Sequence, residues 1–484
     1  MKKNYSSNNE VDAQFPSETF CALPWMHLST RPDGSMRVCC TANASGVAVN
    51  ADSTNKPVSK SGIVRQDDGK PSNLNTSSLM EAWNNEYMKG TRKAMLAGKK
   101  PASCMKCYKE EEAGHRSKRI WETRKWIKDL GGIEPIIEDT KEDGSVPARI
   151  RYIDLRLGSK CQLACVMCSP DDSSNWVKDH KAIWPNLKNK NLRRSMEWSK
   201  ETGEQAALGS SYNWHKNNPT FWKELYEQLP NLRQLYFAGG EPLIIDEHYM
   251  LLEKCIKDGL AKDIELRYNS NGIEWREDLF ELWKEFRHVI FHFSVDDIGI
   301  RNHFIRYPSN WDTITSSMHK MDSYPYDNLQ LTTAWTCTAL NIYYLPEFLK
   351  WKIESNFKNV NKWPNGAGIW SCHLAYWPPQ LNVKALPEWF KVEVRQKYEE
   401  ELYPYIKENW QKCTGVKEAG ITYERFMQSE YGIPRMESLL TFMEANDWSE
   451  RLPETAEWCY TVAKQRFLDF NEVFPELDWL EWDK

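Results

Sequence analysis

The chain lacks the long apolar runs and the basic excess that would assign it to several broad classes of protein. No stretch of its 484 residues approaches the roughly 18 apolar residues that cross a membrane. Residues 1–20 are polar and have no apolar core of a secretory signal. The 63 basic and 68 acidic residues give a net charge of −5, unlike the basic surface typical of nucleic-acid binders. We therefore expect a soluble, cytoplasmic protein that binds neither membrane nor nucleic acid.

Cysteine, by contrast, is well represented. The sequence has 13 cysteines, and in a reducing cytoplasm such a number indicates metal binding or catalysis rather than disulfides. The length allows two or three domains of about 150 residues each. The positions of the cysteines are therefore the strongest indication of metal-binding or catalytic sites.

Three cysteines form the most informative motif. Cys161, Cys165 and Cys168 have the spacing Cys-x3-Cys-x2-Cys and follow the strand-like run 150–157. Three thiolates this close are soft ligands that can hold one face of a tetranuclear iron–sulfur cluster. Such a cluster normally takes four thiolates, so one iron would stay open to another ligand. The alternative is a zinc loop or a set of buried free thiols.

A second motif, Gly239-Gly240-Glu241-Pro242, follows the apolar run 235–237. Glycines let a backbone approach a ligand without a side-chain clash. Together, the cysteine loop and this turn resemble the radical S-adenosylmethionine (SAM) superfamily. The resemblance implies a [4Fe-4S] cluster on the three cysteines, with SAM bound to the open iron and its amino group against the glycine turn.

Residues 148–382 alternate strand-like runs with helical patterns, which is typical of parallel β/α units. The predicted fold class is α/β, and six such units match the open, partial (β/α)6 TIM-like barrel of the superfamily. Helices are predicted over 246–258 and 276–286. The predicted strands are 150–157, 232–238, 264–269, 289–295, 329–337 and 368–376.

In barrels of parallel strands, functional residues lie at the carboxyl ends of the strands. The third predicted strand ends in Asn269, Ser270 and Asn271. This segment resembles a turn that lies near SAM in the superfamily, and the resemblance implies that these residues contribute to SAM binding. The alternative is that the segment only makes a turn.

The next two strand ends also carry polar side chains. By the same resemblance, Ser294 and Asp296 lie close to the SAM ribose and carboxylate, and Arg306 pairs with that carboxylate. The alternatives are a helix cap for Asp296 and a surface ion pair for Arg306. Thr336 and Asn341 are the candidates for contact with the adenosine.

A separate group of cysteines precedes the predicted barrel. The hairpin-turn signal Pro32-Asp33-Gly34 comes shortly before Cys39 and Cys40, and Cys104 with Cys107 forms a Cys-x2-Cys knuckle. This group resembles the SPASM and twitch domains, which hold an auxiliary [4Fe-4S] cluster beside many radical SAM barrels, although here the module precedes the barrel.

That resemblance implies a set of four protein ligands, with Cys40 as a spare or a substitute. The alternative is a structural zinc site with four cysteines, and His27 could replace one of them. The ligands implied by the match are Cys21, Cys39, Cys104 and Cys107.

The domain organisation follows from these motifs. The aromatic-rich insertion in the barrel either packs as ordinary helices or forms a substrate-binding cap. We expect a disordered start over 1–18, the auxiliary domain over 19–125, the barrel over 148–382 with its insertion over 170–230, and a helical region over 383–484.

The resemblance implies an enzyme that cleaves SAM reductively to a 5′-deoxyadenosyl radical, which abstracts hydrogen from an unidentified small-molecule or peptide substrate. A flavodoxin- or ferredoxin-type protein would be the one-electron donor. Cys337 and Cys372, at or near strand ends, are candidate hydrogen donors if either faces the cavity; otherwise they are core residues. The alternatives are a peptide- or protein-modifying maturase of the same superfamily and a non-catalytic, zinc-stabilised binding protein.

Overall fold

The structure is a computed structural model that describes residues 15–42, 62–112, 117–196, 210–361, 368–413, 422–428 and 432–482. Of the start that was predicted to be disordered, residues 1–14 lie outside this set. The chain divides into two compact units. The first comprises Met1–Gly158, Ser210–Phe237 and Lys254–Ile264; the second comprises Ser159–Gly209, Ala238–Glu253 and Glu265–Lys484. The domain boundaries inferred from the sequence stay predictions.

Four strands of the first unit pair in the order β2–β1–β3–β4. They are β1 (His27–Thr30), β2 (Met36–Arg37), β3 (Tyr152–Leu155) and β4 (Gln234–Phe237). The predicted hairpin joins β1 to β2, and Gly34 takes the φ of +84° that its turn requires. Strand β1 also runs parallel to β3, and β3 runs parallel to β4. The pairing of β1 with β3 was not anticipated from the sequence.

Local signals begin several helices of the first unit. Ser78 and Glu81 form a capping box, and the Ser117 hydroxyl accepts a hydrogen bond from the Ile120 backbone. The α-helices described in this unit are Leu23–Met26, Leu79–Trp83, Glu86–Leu96, Met105–Glu112, Lys118–Leu130, Glu134–Ile137, Trp214–Asn217 and Pro219–Gln228.

Four parallel strands pair in sequence order in the second unit. They are β5 (Glu265–Ser270), β6 (His288–Ser294), β7 (Leu329–Cys337) and β8 (Cys372–Leu374). With β3 and β4, they confirm all six strands predicted between residues 148 and 382, although several are shorter than predicted. The carboxyl ends of β5, β6 and β7 lie at one edge of this sheet because the strands are parallel. Closure into a barrel stays a prediction.

The predicted helix over 246–258 is confirmed as Asp246–Lys257. The helix predicted over 276–286 is shorter, Leu279–Trp283, because Glu285 and Phe286 bond to carbonyls three residues back and tighten its end into a turn. The other α-helices of the second unit before residue 383 are Trp176–Ile183, Lys190–Ser195, Gly299–Ile305, Trp311–Asp322 and Leu345–Glu354.

The described residues after 383 are mainly helical, as predicted. None of the helices in the described ranges is long and apolar enough to cross a membrane. The α-helices of this region are Glu388–Lys397, Tyr403–Glu408, Trp410–Cys413, Tyr423–Gln428, Ile433–Glu444, Leu452–Gln465 and Phe470–Val473, and a π-helical turn occupies Tyr398–Leu402.

Two tryptophans of the insertion over 170–230 belong to the core of their own units. Trp176 and Trp214 are each 1% exposed. Trp176 stacks on Trp458 with 5.6 Å between ring centroids. These contacts agree with ordinary helix packing for this part of the insertion, while residues 197–209 lie outside the described set.

Candidate functional site

Backbone hydrogen bonds hold the loop 161–168 within the second unit. Ala164 donates to the carbonyl of Tyr307 at 2.5 Å, and Val166 donates to the carbonyl of Ile305 at 2.8 Å. These bonds give a loop without regular secondary structure two fixed points. Ile305 is the last residue of the helix after β6, and Tyr307 follows two positions later, so the end of that helix positions the cysteine loop.

Two long side chains hold the same loop. The indole of Trp176 donates to the carbonyl of Cys165 at 2.7 Å. Arg466 is fully buried, donates to the carbonyl of Ala164 at 2.5 Å, and pairs with Asp179 at 3.2 Å. Arg466 was not identified from the sequence, and no local motif marks it.

The three cysteine side chains of this loop lie close to one another. A hydrogen bond from the Cys168 thiol lowers the pKa of Cys165 to about 7 and raises the pKa of Cys168. Burial, followed by the charge of Cys165, raises the pKa of Cys161 to about 12. Arg306 lies with Nη1 3.7 Å from the Cys165 sulfur. The charge of Arg306 thus favours the thiolate of Cys165, whereas Cys161 and Cys168 are held as neutral thiols in the absence of a metal.

The turn at Gly239 and Gly240 adjoins both flanks of the cysteine loop. Its glycines take φ values of +74° and +59°, which residues with a side chain rarely adopt. Gly240 donates its backbone N–H to the carbonyl of Asp172, and Glu241 donates to the carbonyl of Lys160, at 3.2 and 2.8 Å. Pro242, which is buried, begins the short helix that follows.

The Glu241 carboxylate joins this turn to the end of β5. It accepts hydrogen bonds from the Ser270 hydroxyl at 2.6 Å and from the Asn271 backbone at 2.7 Å. Burial raises the pKa of Glu241 to about 7. The Asn271 Nδ2 group is buried and has no hydrogen-bond partner among the described residues. This amide is therefore a donor available to a ligand.

A buried ion pair lies at the end of β6. Arg306 Nε stands 2.6 Å from Asp296 Oδ2, and the two side chains are 12% and 0% exposed. The alternatives weighed from the sequence both differ from this arrangement. The pair is buried rather than on the surface, and the helix Gly299–Ile305 begins after Ile298 with no side-chain cap from Asp296.

Residues at and shortly after the end of β7 bond to Asp296. The Thr336 backbone donates to Asp296 Oδ1 at 2.7 Å, and Asn341 donates to the Asp296 carbonyl at 3.0 Å. Thr336 and Asn341 therefore position Asp296 in this structure. Asn269 and Ser294 are placed by strand register, opposite His292 and Ala334 respectively.

Cys337 and Cys372 lie on the neighbouring strands β7 and β8. Both are buried, with exposed fractions of 0% and 7%. Burial, and then the charge of Cys372, raises the pKa of Cys337. These positions agree with core thiols, and their assignment as hydrogen donors stays a prediction. Cys255, Cys413 and Cys459 are buried as well.

The four cysteines assigned to the auxiliary site line one cavity of the first unit, together with Arg119. Burial is the main cause that raises the pKa of Cys21, and the charges of Cys39, Cys104 and Cys107 add to it. Cysteines from three segments of the chain thus line one small cavity.

Cys40 and His27 do not line this cavity. The ammonium of Lys118 donates to the Cys40 sulfur at 2.9 Å, so Cys40 already has a charged partner. His27 bonds through Nδ1 to the carbonyl of Tyr152 at 3.0 Å and lies against the Tyr152 ring. The geometry favours Cys39 over Cys40 as a ligand and gives His27 a structural place in β1.

Both cysteine sets fit an iron–sulfur cluster by the chemistry of their donors. Each set brings soft thiols together where burial makes an uncompensated thiolate costly, so bound iron would relieve that cost. Within the described residues, no three His, Cys, Asp or Glu side chains are placed to hold a single metal ion. The thiolates of a tetranuclear cluster each bind a different iron and therefore do not meet at one point.

Comparison with known families gives a match within the first unit. Residues 21–108 match the SPASM family, described as an iron-sulfur cluster-binding domain. This domain is typical of radical SAM proteins. The match covers the four auxiliary cysteines and supports an auxiliary iron–sulfur cluster. No curated protein matches the chain.

Proposed function

We propose that the chain is a radical SAM enzyme. The observation that carries the proposal is the arrangement around Cys165, where Cys168 and the guanidinium of Arg306 both adjoin the sulfur. The glycine turn, bonded to Lys160 and Asp172, lies against the flanks of the same loop. When bound, the cluster and SAM supply the one-electron reductive cleavage that produces an organic radical able to take hydrogen from an unactivated C–H bond.

In this proposal, Cys161, Cys165 and Cys168 hold the cluster through their thiolates and leave one iron for SAM. Arg306 supplies a positive charge for the SAM carboxylate. Asp296 orients Arg306, because it forms an ion pair with the same guanidinium. The hydrogen bonds from Thr336 and Asn341 keep Asp296 in place. The free Nδ2 donor of Asn271 is a further polar group that SAM could engage.

The first unit would hold the auxiliary cluster on Cys21, Cys39, Cys104 and Cys107. Four protein thiolates saturate a tetranuclear cluster, so this site would have no open iron for SAM. The auxiliary cluster would therefore act in electron transfer or stabilise the fold. The electron itself would come from an external flavodoxin- or ferredoxin-type donor, and the substrate would be a small molecule or a peptide.

The test is metal analysis combined with SAM turnover. Anaerobically reconstituted chain should contain about eight irons, from two four-iron clusters, and should form 5′-deoxyadenosine from SAM with dithionite. The triple variant Cys161→Ala, Cys165→Ala, Cys168→Ala should retain about four irons and form none. Cys255→Ala, which removes a buried thiol outside both sets, is the control and should behave as the parent.

Two outcomes would contradict the proposal. Continued 5′-deoxyadenosine formation by the triple variant would move SAM cleavage away from this loop. Zinc in place of iron, with a colourless protein after anaerobic isolation, would favour the zinc-stabilised binding protein.

A further inference from the structure

One face of the sheet in the first unit is polar along three neighbouring strands. Ser29 of β1 lies opposite Asp154 of β3, and Asp154 lies opposite Tyr236 of β4. Side chains at paired positions of parallel strands point to the same face. Parallel sheets are usually apolar on both faces, so a polar row here calls for a physical reason. Two residues earlier, the same face carries His27, Tyr152 and Gln234.

Asp154 is the centre of this row. Its side chain is 0% exposed, and neither carboxylate oxygen has a hydrogen-bond partner among the described residues. Arg156 Nε stands 3.6 Å from Oδ1, which is beyond hydrogen-bond distance. The Ser29 hydroxyl on the neighbouring strand is also buried without a partner. A buried carboxylate without hydrogen bonds is costly, and native structures seldom retain one without a use.

The residues around Asp154 are open to solvent in part. Tyr236, Cys40, Lys118 and Arg156 are all partly exposed. The Asp154 carboxylate acts on two of them, since it adds to the effect of burial in raising the pKa of both Cys40 and Tyr236. Asp154 therefore lies below a polar, partly exposed rim rather than inside an apolar core.

The cations of this rim leave the carboxylate with unused acceptors. Lys118 donates to the Cys40 sulfur and lies 3.7 Å from Glu122. Arg156 is at ion-pair distance from Asp154 without a hydrogen bond to it. An ionised carboxylate accepts hydrogen bonds through two oxygens and donates none. What fits here is a group that brings at least two N–H donors and a positive charge.

We propose that the row of Ser29, Asp154 and Tyr236 is a binding site for a small ligand that carries a primary ammonium or a guanidinium group. Asp154 receives the charged nitrogen, and the Ser29 oxygen accepts a further N–H. A guanidinium can bond both carboxylate oxygens at once, which is the strongest form of this recognition. The site does not depend on a bound cluster. A test of this site is therefore independent of the tests of SAM cleavage.

The test uses the full-length chain, isolated anaerobically, and measures its unfolding temperature against added salts. Methylguanidinium chloride should raise this temperature along a saturable curve, because a ligand that binds only the folded chain stabilises it by mass action. Tetramethylammonium chloride has the same charge and no N–H donors, and should not do so. A failure of methylguanidinium to act, or an equal effect of both salts, would overturn the proposal.

Two variants locate the effect. Asp154→Asn should abolish the response to methylguanidinium, and Ser29→Ala should weaken it several-fold while keeping the carboxylate. Asp68→Asn, at a carboxylate whose side chain is 49% exposed, is the control for loss of charge and should respond as the parent. A full response in Asp154→Asn would refute the site.

The stability of the ligand-free Asp154→Asn chain separates binding from structure. If Asp154 is a ligand-binding carboxylate that lacks a partner in the ligand-free chain, Asp154→Asn should leave the unfolding temperature unchanged or raise it. If Asp154 serves only as the ion partner of Arg156, then Asp154→Asn and Arg156→Gln should both lower it to a similar extent, and the proposal would be wrong.

Discussion

Arg466 Nη2 donates a hydrogen bond to the carbonyl oxygen of Ala164, 302 positions earlier in the chain. Ala164 lies inside the loop of Cys161, Cys165 and Cys168. The same guanidinium donates to the carbonyl of Phe304 at 3.1 Å, on the helix whose end holds the loop. The helical C-terminal region, for which the sequence suggested no role, thus contributes directly to the order of the cysteine loop.

The first prediction concerns this contact. Arg466→Lys keeps the charge but loses the planar fork that reaches several acceptors at once. We expect the free energy of unfolding to fall by about 2 kcal/mol, measured by denaturant titration. We also expect faster loss of iron to a chelator from the cluster on the loop, with the auxiliary cluster unaffected.

The matched control is Arg451→Lys at the start of the helix Leu452–Gln465, where the arginine is partly exposed and pairs with Glu454. It should change neither quantity appreciably. Equal iron loss in the two arginine variants would show that Arg466 does not order the loop.

A second prediction separates two adjacent cysteines. Cys39 lines the cavity that it shares with Cys21, Cys104 and Cys107, whereas the Cys40 sulfur accepts a hydrogen bond from Lys118. Cys39→Ala should therefore remove the auxiliary cluster, a loss of about four irons. Cys40→Ala should keep the full iron content, and iron and sulfide analysis of the reconstituted variants measures both. The reverse result would make Cys40 the ligand.

The third prediction tests the turn after β5. Gly272 has a φ of +62°, and an added Cβ would come within 2.5 Å of the Phe293 ring. Gly272→Ala should cost about 2–4 kcal/mol of unfolding free energy, because backbone strain and overpacking add. Gly299 has a similar φ of +56° but nothing within 4 Å of an added Cβ.

Gly299→Ala is accordingly the control, and it should cost only about 1–2 kcal/mol for strain. Chemical denaturation of both variants gives the comparison. If the two substitutions cost the same free energy of unfolding, contact with Phe293 does not contribute to the cost at Gly272.

The fourth prediction is a dependence of stability on pH. His248 is fully buried, and burial lowers its pKa from 6.5 to about 3. The Tyr268 hydroxyl lies 2.8 Å from His248 Nε2 and also accepts a hydrogen bond from the Trp283 indole. The imidazole is therefore held neutral in the folded chain.

The unfolded chain binds a proton at His248 near pH 6.5 and the folded chain does not. The contribution of His248 to the free energy of unfolding is therefore fully present above pH 6.5. It is lost as the pH falls toward 3, by about 1.4 kcal/mol per pH unit. His248→Gln should flatten this part of the slope between pH 7 and pH 5 in urea titrations. His319→Gln, at an exposed position, should leave the slope as it is in the parent.

Much of the fold follows from local patterns in the sequence. Alternation of apolar runs and helical periods placed the strands β3 to β8, since these signals depend on neighbouring residues alone. The Pro32-Asp33-Gly34 signal located the hairpin of β1 and β2 for the same reason. The spacing of Cys161, Cys165 and Cys168 likewise marked a ligand loop, because three thiols on one short loop cannot be far apart.

The tertiary structure decided which partners these residues have. It paired β1 with β3, brought Arg466 to Ala164, gave Lys118 to Cys40 and turned Arg306 toward Asp296. It also left the Asp154 carboxylate buried without a hydrogen bond. No local pattern contains this information, because the distance in space between the two members of each contact depends on how the rest of the chain folds. The sequence by itself determined which side chains are available for chemistry, and the packing of distant segments determined which of them act together.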